Sequence, residues 1–153
     1  MSYARGRRQF VLLAGGVMTA TLAGCVGDDD DNDVGDDDAD VEGFEIDPGT
    51  TIEFEGYTEH WLGLAPESID GEENPTLILE DGGEYEMGWT NGDGALHNLE
   101  IRDDDREIVD DLQTESLDET DATDSLSFTA SPEMTTYICR YHETTQRGDL
   151  VVQ

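Results

Sequence analysis

EYEMGWTNGDGALHNLEI, residues 84–101, is the stretch on which the fold class turns. Tyr85, Met87 and Trp89 fall two apart, the period of a strand that buries one face. Asn91-Gly92-Asp93-Gly94 is a run of turn formers that ends the strand. Beyond it His97, Leu99 and Ile101 share one face of a second run, with Asn98 and Glu100 on the other. An imidazole therefore stands on an apolar face just after a turn.

The same texture extends in both directions. Thr51-Ile52-Glu53-Phe54-Glu55 alternates, and Thr76-Leu77-Ile78-Leu79-Glu80 runs from Asn74-Pro75 to Asp81-Gly82-Gly83. Leu126 with Phe128, Tyr137 with Cys139, and Leu150 with Val152 continue the pattern. The segment from Arg102 to Asp124 is acidic and weakly patterned, with a short strand expected near Glu107–Leu112. His60 is expected in a loop, Trp61 and Trp89 in the core, and Met134 in packing. Helix signals are weak throughout. Short strands separated by turn signals predict one all-β domain over 44–153, a Greek-key two-sheet sandwich or barrel of seven or eight strands.

What precedes that domain reads as processing and tether. MSYARGRRQFVLLAGGVMTATLAGC has a cationic start, an apolar run from Phe10 to Leu22 and a small-residue end, the pattern of a secretory signal peptide over 1–24. The run is too short for a mature membrane span. Arg7-Arg8 resembles a twin-arginine export signal. Leu22-Ala23-Gly24-Cys25 reads as a lipobox that would free Cys25 for lipidation. Residues 25–43 form an acidic linker, with nine Asp between 26 and 42, expected to be disordered and extended. It lacks the glycine and terminal glutamate of a calcium-binding EF-hand loop.

Charge narrows the function classes. The chain has 153 residues and a formal net charge of −32. Without the leader, four arginines and no lysine face 39 acidic residues. Such a surface repels phosphate backbones, which excludes nucleic acid as a partner. It also repels anionic head groups, so a covalent lipid must supply membrane attachment. Self-repulsion on this scale destabilises a compact state in ordinary buffer. At molar salt the screening length falls to roughly 3 Å and the repulsion largely disappears. The expectation is a lipid-anchored protein on the extracytoplasmic face of the membrane of a halophilic archaeon.

Cysteine use points to the chemistry. An exported protein ordinarily pairs its cysteines. If Cys25 carries lipid, Cys139 is a lone thiol in an oxidising compartment. His142 follows it by three residues, and His97 sits on a distant strand. Two imidazoles and one thiolate suit copper, which accepts both soft sulfur and borderline nitrogen. A trigonal His-Cys-His site with a weak axial ligand suits one-electron transfer.

At these residues the chain resembles the cupredoxins, in particular the halocyanin, plastocyanin and amicyanin group. The resemblance spans roughly Ile46 to Gln153. It is carried by Asn74-Pro75-Thr76-Leu77, Trp89-Thr90-Asn91, Leu96-His97-Asn98-Leu99 and Tyr137-Ile138-Cys139-Arg140-Tyr141-His142. It implies a blue-copper centre with one copper ion, His97, Cys139 and His142 as equatorial ligands, and Asn98 tying the two ligand loops together. The family pattern ends its ligand loop in Met-Arg-Gly, whereas this chain has Gln146-Arg147-Gly148. Anchoring on the glycine puts Gln146 in the axial position, as in stellacyanin-like members. The function so implied is a membrane-tethered one-electron carrier and not an enzyme. Its partners would be redox proteins met transiently at the membrane surface, with the carrier itself a monomer.

Three other readings remain open on the residues alone. The chain could deliver copper or bind partners without carrying electrons. Zinc could take two His and one Cys. Cys139 and His142 could form a nucleophile and its base, but no third orienting residue is evident.

Overall fold

Among the described residues, ten short strands, most of them the alternating runs, form two sheets. The structure, a computed structural model, describes residues 41–153. The leader, the lipidation site at Cys25 and the linker up to residue 40 lie outside the described residues. The first sheet runs in the order β1 (Phe44–Glu45), β4 (Leu77–Leu79), β10 (Arg147–Val152), β9 (Thr136–Ile138), β6 (Glu100–Arg102) and β7 (Ile108–Gln113). The second runs β3 (His60–Ala65), β2 (Thr51–Tyr57), β5 (Glu84–Asn91) and β8 (Thr123–Thr129). Both are mixed: β4 pairs in parallel with β1 and β10, and β2 with β5, while the remaining pairings are antiparallel.

Side chains two apart meet between the sheets. Ile52 and Phe54 from β2, Tyr85, Met87 and Trp89 from β5, and Leu126 and Phe128 from β8 are buried against Leu99, Ile101, Tyr137 and Leu150. Met134 joins this core, as do Trp61 and Trp89, as the sequence predicts. Phe54 stacks on Tyr137 at 4.9 Å across the sandwich. The Tyr137 hydroxyl donates to the Pro75 carbonyl. Gly148 lies under that ring, and a Cβ there would collide with it.

Three expectations need correction. Strand β3 was not foreseen, because HWLGLA turns a glycine inward where a large residue is expected. Gly63 faces in because the Ile69 carbonyl occupies the place of its Cβ. His60 is accordingly the first residue of β3, paired with Tyr57, and not a loop residue. The strand count exceeds the expected seven or eight, since β1 was also missed. Asn98 and Glu100 face away from Leu99, as their register predicts, and both are buried. A charged network on the outer face of the first sheet covers them.

Candidate metal centre

One end of the sandwich gathers the end of β5, the approach to β6, the end of β9 and the start of β10. His97 is held just before β6 by a bridge in which its N–H donates to the Leu117 carbonyl at 3.0 Å and Leu117 returns the bond at 2.9 Å. Cys139 follows β9 directly. The β9–β10 register pairs Ile138 with Arg147, so Cys139 lies opposite Gln146 and donates its N–H to the Gln146 carbonyl at 3.0 Å. The loop between them is wound tight: His142 N donates to the Cys139 carbonyl at 3.2 Å, and Gln146 N to the His142 carbonyl at 2.9 Å. This winding carries the His142 ring back over the sulfur.

Three predicted ligands thereby converge. Cys139 Sγ lies 3.9 Å from His97 Nδ1 and 3.6 Å from His142 Nδ1. One donor atom from each of the three lies within 4.8 Å of the others. A nitrogen and a sulfur bound to one metal at a trigonal angle, with bonds of zinc-like length, stand about 3.8 Å apart. The observed separations match that edge, and the donor set fits a thiophilic transition metal. Cys139 and His97 are fully buried, while His142 is half-buried. The sulfur is a free thiol shielded from water.

Gln146 enters the same cluster. Its Oε1 lies 2.8 Å from His97 Nδ1 and 3.2 Å from His142 Nδ1, and the side chain is fully buried. Its Nε2 has no hydrogen-bond partner, so the oxygen end alone orients the amide. Gly56 leaves room for it: a Cβ there would come 3.1 Å from that nitrogen.

Asn98 links the segment after His97 to the one after Cys139. Its Oδ1 accepts the N–H of Arg140, next to Cys139, at 3.0 Å. Its Nδ2 donates to Glu100 Oε1 at 2.9 Å. Thr145 anchors the Cys139–Gln146 loop to the β2–β3 turn through its hydroxyl to the Thr58 carbonyl at 2.6 Å, and Asn74 Nδ2 holds the Thr145 carbonyl at 2.8 Å.

Sequence reasoning missed two residues here. Asp93 Oδ1 lies 2.7 Å from His97 Nε2. Burial works against charge on both groups, but the shared hydrogen bond holds the Asp93 carboxyl well below the usual range. For His97, burial lowers the pKa, yet contacts with Cys139 and Asp93 outweigh it and raise the value. The only advance signal was an acidic residue in the turn four positions before the imidazole. Glu100 is the other, a buried carboxylate bonded to Asn98, Arg102 and Arg140. Its place opposite Leu99 and Ile101 gave no sign of its burial. His60 stands apart from the cluster, 3.8 Å from Glu73.

No protein-family model matches the chain, and no curated protein matches it by sequence. Among solved structures, a rusticyanin variant with a histidine-to-methionine substitution superposes with a TM-score of 0.51 at 15% identity, covering 74% of this chain and 85% of that one. Rusticyanin from Thiobacillus ferrooxidans gives 0.50 at 15% identity over 74% and 84%. Auracyanin B gives 0.49 at 16% identity over 72% and 94%. The two rusticyanin matches establish a shared architecture, and the chain has the cupredoxin fold.

Proposed function

We propose that this protein of cupredoxin fold is a type 1 copper protein, a one-electron carrier whose single copper ion is held by His97, Cys139 and His142 with Gln146 as axial neighbour. The reading is carried by one buried thiol and two imidazole nitrogens meeting at one end of the sandwich. Rusticyanin, which shares the fold, is a copper protein. When bound, copper supplies a one-electron couple that such a donor set accommodates in both oxidation states.

The residues divide the remaining work. Cys139 offers a thiolate sealed from water and from competing thiols. Gln146 offers an amide oxygen, harder than a thioether, which favours the oxidised ion. Asn98, Asn74 and Thr145 hold the ligand loop, so the donors keep their places as the charge changes. His142 is the donor least buried, and so the one a redox partner can approach. Full burial of Cys139 also argues against nucleophilic chemistry, since no substrate carbonyl reaches the sulfur without opening the loop.

The proposal includes a location. A twin-arginine leader, a lipid on Cys25 and a linker rich in aspartate would place the domain at the extracytoplasmic membrane face of a halophile. Its redox partners there would meet it through weak, screened contacts.

An absorption spectrum of the copper-loaded, oxidised protein tests the reading. An intense visible band from thiolate-to-Cu(II) charge transfer is expected. Colourless protein that takes up only zinc, or a Cys139 freely alkylated with copper present, would overturn it.

A further inference from the structure

We propose that Asp93 is a positioning residue for this centre: its carboxylate fixes the His97 ring through Nε2 and, as a fixed negative charge, favours the oxidised metal over the reduced one. This rests on the reading of His97 as a copper ligand.

Asp93 is not a loose surface acid. Its Oδ1 accepts from His97 Nε2 at 2.7 Å and from Ala95 N at 3.0 Å. Its Oδ2 accepts from Thr58 N at 2.8 Å and Thr58 Oγ1 at 2.9 Å. Four donors thus hold one carboxylate in a single orientation. The turn that carries it is fixed in turn by buried Asn91. Asn91 Oδ1 accepts from Asp93 N at 3.2 Å and Gly94 N at 2.8 Å, and its Nδ2 donates to the carbonyls of Ala95 and Leu117.

A ring whose Nε2 proton bonds a carboxylate turns Nδ1 toward the centre, with its orientation set and its basicity raised. In His97 that nitrogen faces Cys139 Sγ and Gln146 Oε1. The fixed negative charge then favours the more positive metal state, the same direction as the Gln146 oxygen. The Asp93 side chain is 26% exposed, so water screens part of this effect. Thr58 has a double part: it orients Asp93, and its carbonyl accepts from Thr145 in the other ligand loop. One hairpin tip therefore clamps both ligand loops.

The test uses Asp93→Asn and Asp93→Ala in the full chain. In metal-free protein, proton–nitrogen correlation spectra should show a slowly exchanging His97 Nε2 proton in the wild type that is lost in Asp93→Ala. An unchanged proton in that variant overturns the positioning role. Competition titrations with Cu(II) and Cu(I) then read the charge. Asp93→Asn keeps an acceptor without the charge, and should lower Cu(II) affinity about tenfold, with a smaller change for Cu(I) and a raised reduction potential. Equal losses for both ions, as from a merely structural defect, or no loss for Cu(II), overturn the electrostatic role. A wild type that binds no copper defeats the copper reading instead, and the metal-free spectra still decide whether Asp93 holds the ring.

Discussion

Replacing Glu100 by glutamine should destabilise the domain by about 3 kcal/mol, and the figure follows from its surroundings. The carboxylate is fully buried. Oε1 accepts from Asn98 Nδ2 at 2.9 Å and from Arg140 Nε, while Oε2 accepts from Arg102 Nε at 2.8 Å and Nη2 at 2.6 Å. The amide keeps the volume, removes the charge and points a donor at a guanidinium. Breaking a buried ion pair from one side costs about 3–5 kcal/mol. The lower end applies, because Arg102 keeps Glu143 at 2.8 Å and Arg140 is 42% exposed, where solvent screens its pairing. Urea melts at neutral pH and molar salt would measure the loss. A second substitution, Arg102→Met, should recover part of it by removing the guanidinium that the new amide donor faces. A loss below about 1 kcal/mol would refute the reasoning, since that is the scale of a surface pair.

The same residue sets a pH dependence. Burial works against ionisation of Glu100, but bonds from Asn98, Arg102 and Arg140 outweigh it and hold its pKa below the ordinary value. The unfolded chain then takes up this proton first, at about pH 4.3. Stability from Glu100 is therefore complete above that pH and is lost as pH falls through the lower native value. Glu100→Gln should flatten this acid limb of the stability curve.

Three further outcomes are expected. Gln146→Met replaces the amide oxygen beside the two Nδ1 atoms with a thioether and should raise the reduction potential; an unchanged potential and spectrum would mean that Gln146 does not coordinate. Gly148→Ala should cost about 3 kcal/mol in denaturant melts, the upper range for overpacking, because the new methyl meets a Tyr137 ring pinned by Phe54 and Pro75. The melting temperature should rise between dilute buffer and molar potassium chloride, as the screening length shrinks from about 10 Å to about 3 Å. Greater stability in dilute buffer would exclude a salt-adapted surface.

Much of the architecture was legible because burial imposes a period. Residues 84–91 alternate apolar and polar side chains, and they form β5 facing the core. The strand expected near Glu107–Leu112 is β7, Ile108–Gln113. His97, Cys139 and His142 could be picked out because imidazole and thiol side chains are scarce in this chain, and a lone thiol stands out in a chain expected to be exported. Where a close contact replaced a side chain the period failed, as at Gly63 under the Ile69 carbonyl, and β3 went unseen.

Strand periodicity, charge and donor types are properties of single residues or near neighbours, and each could be read before folding. That Gln146 lies opposite Cys139, that Glu100 is an interior anion and that Asp93 grips the ring of His97 emerge only once the chain folds. The physical reason is common to all three. Each depends on chain segments that meet across a loop or between strands, and a polar residue of unspecialised type carries no local mark of the partner it will find. With 39 acidic residues to choose from, composition could not distinguish the one that bonds the His97 ring from those that face solvent.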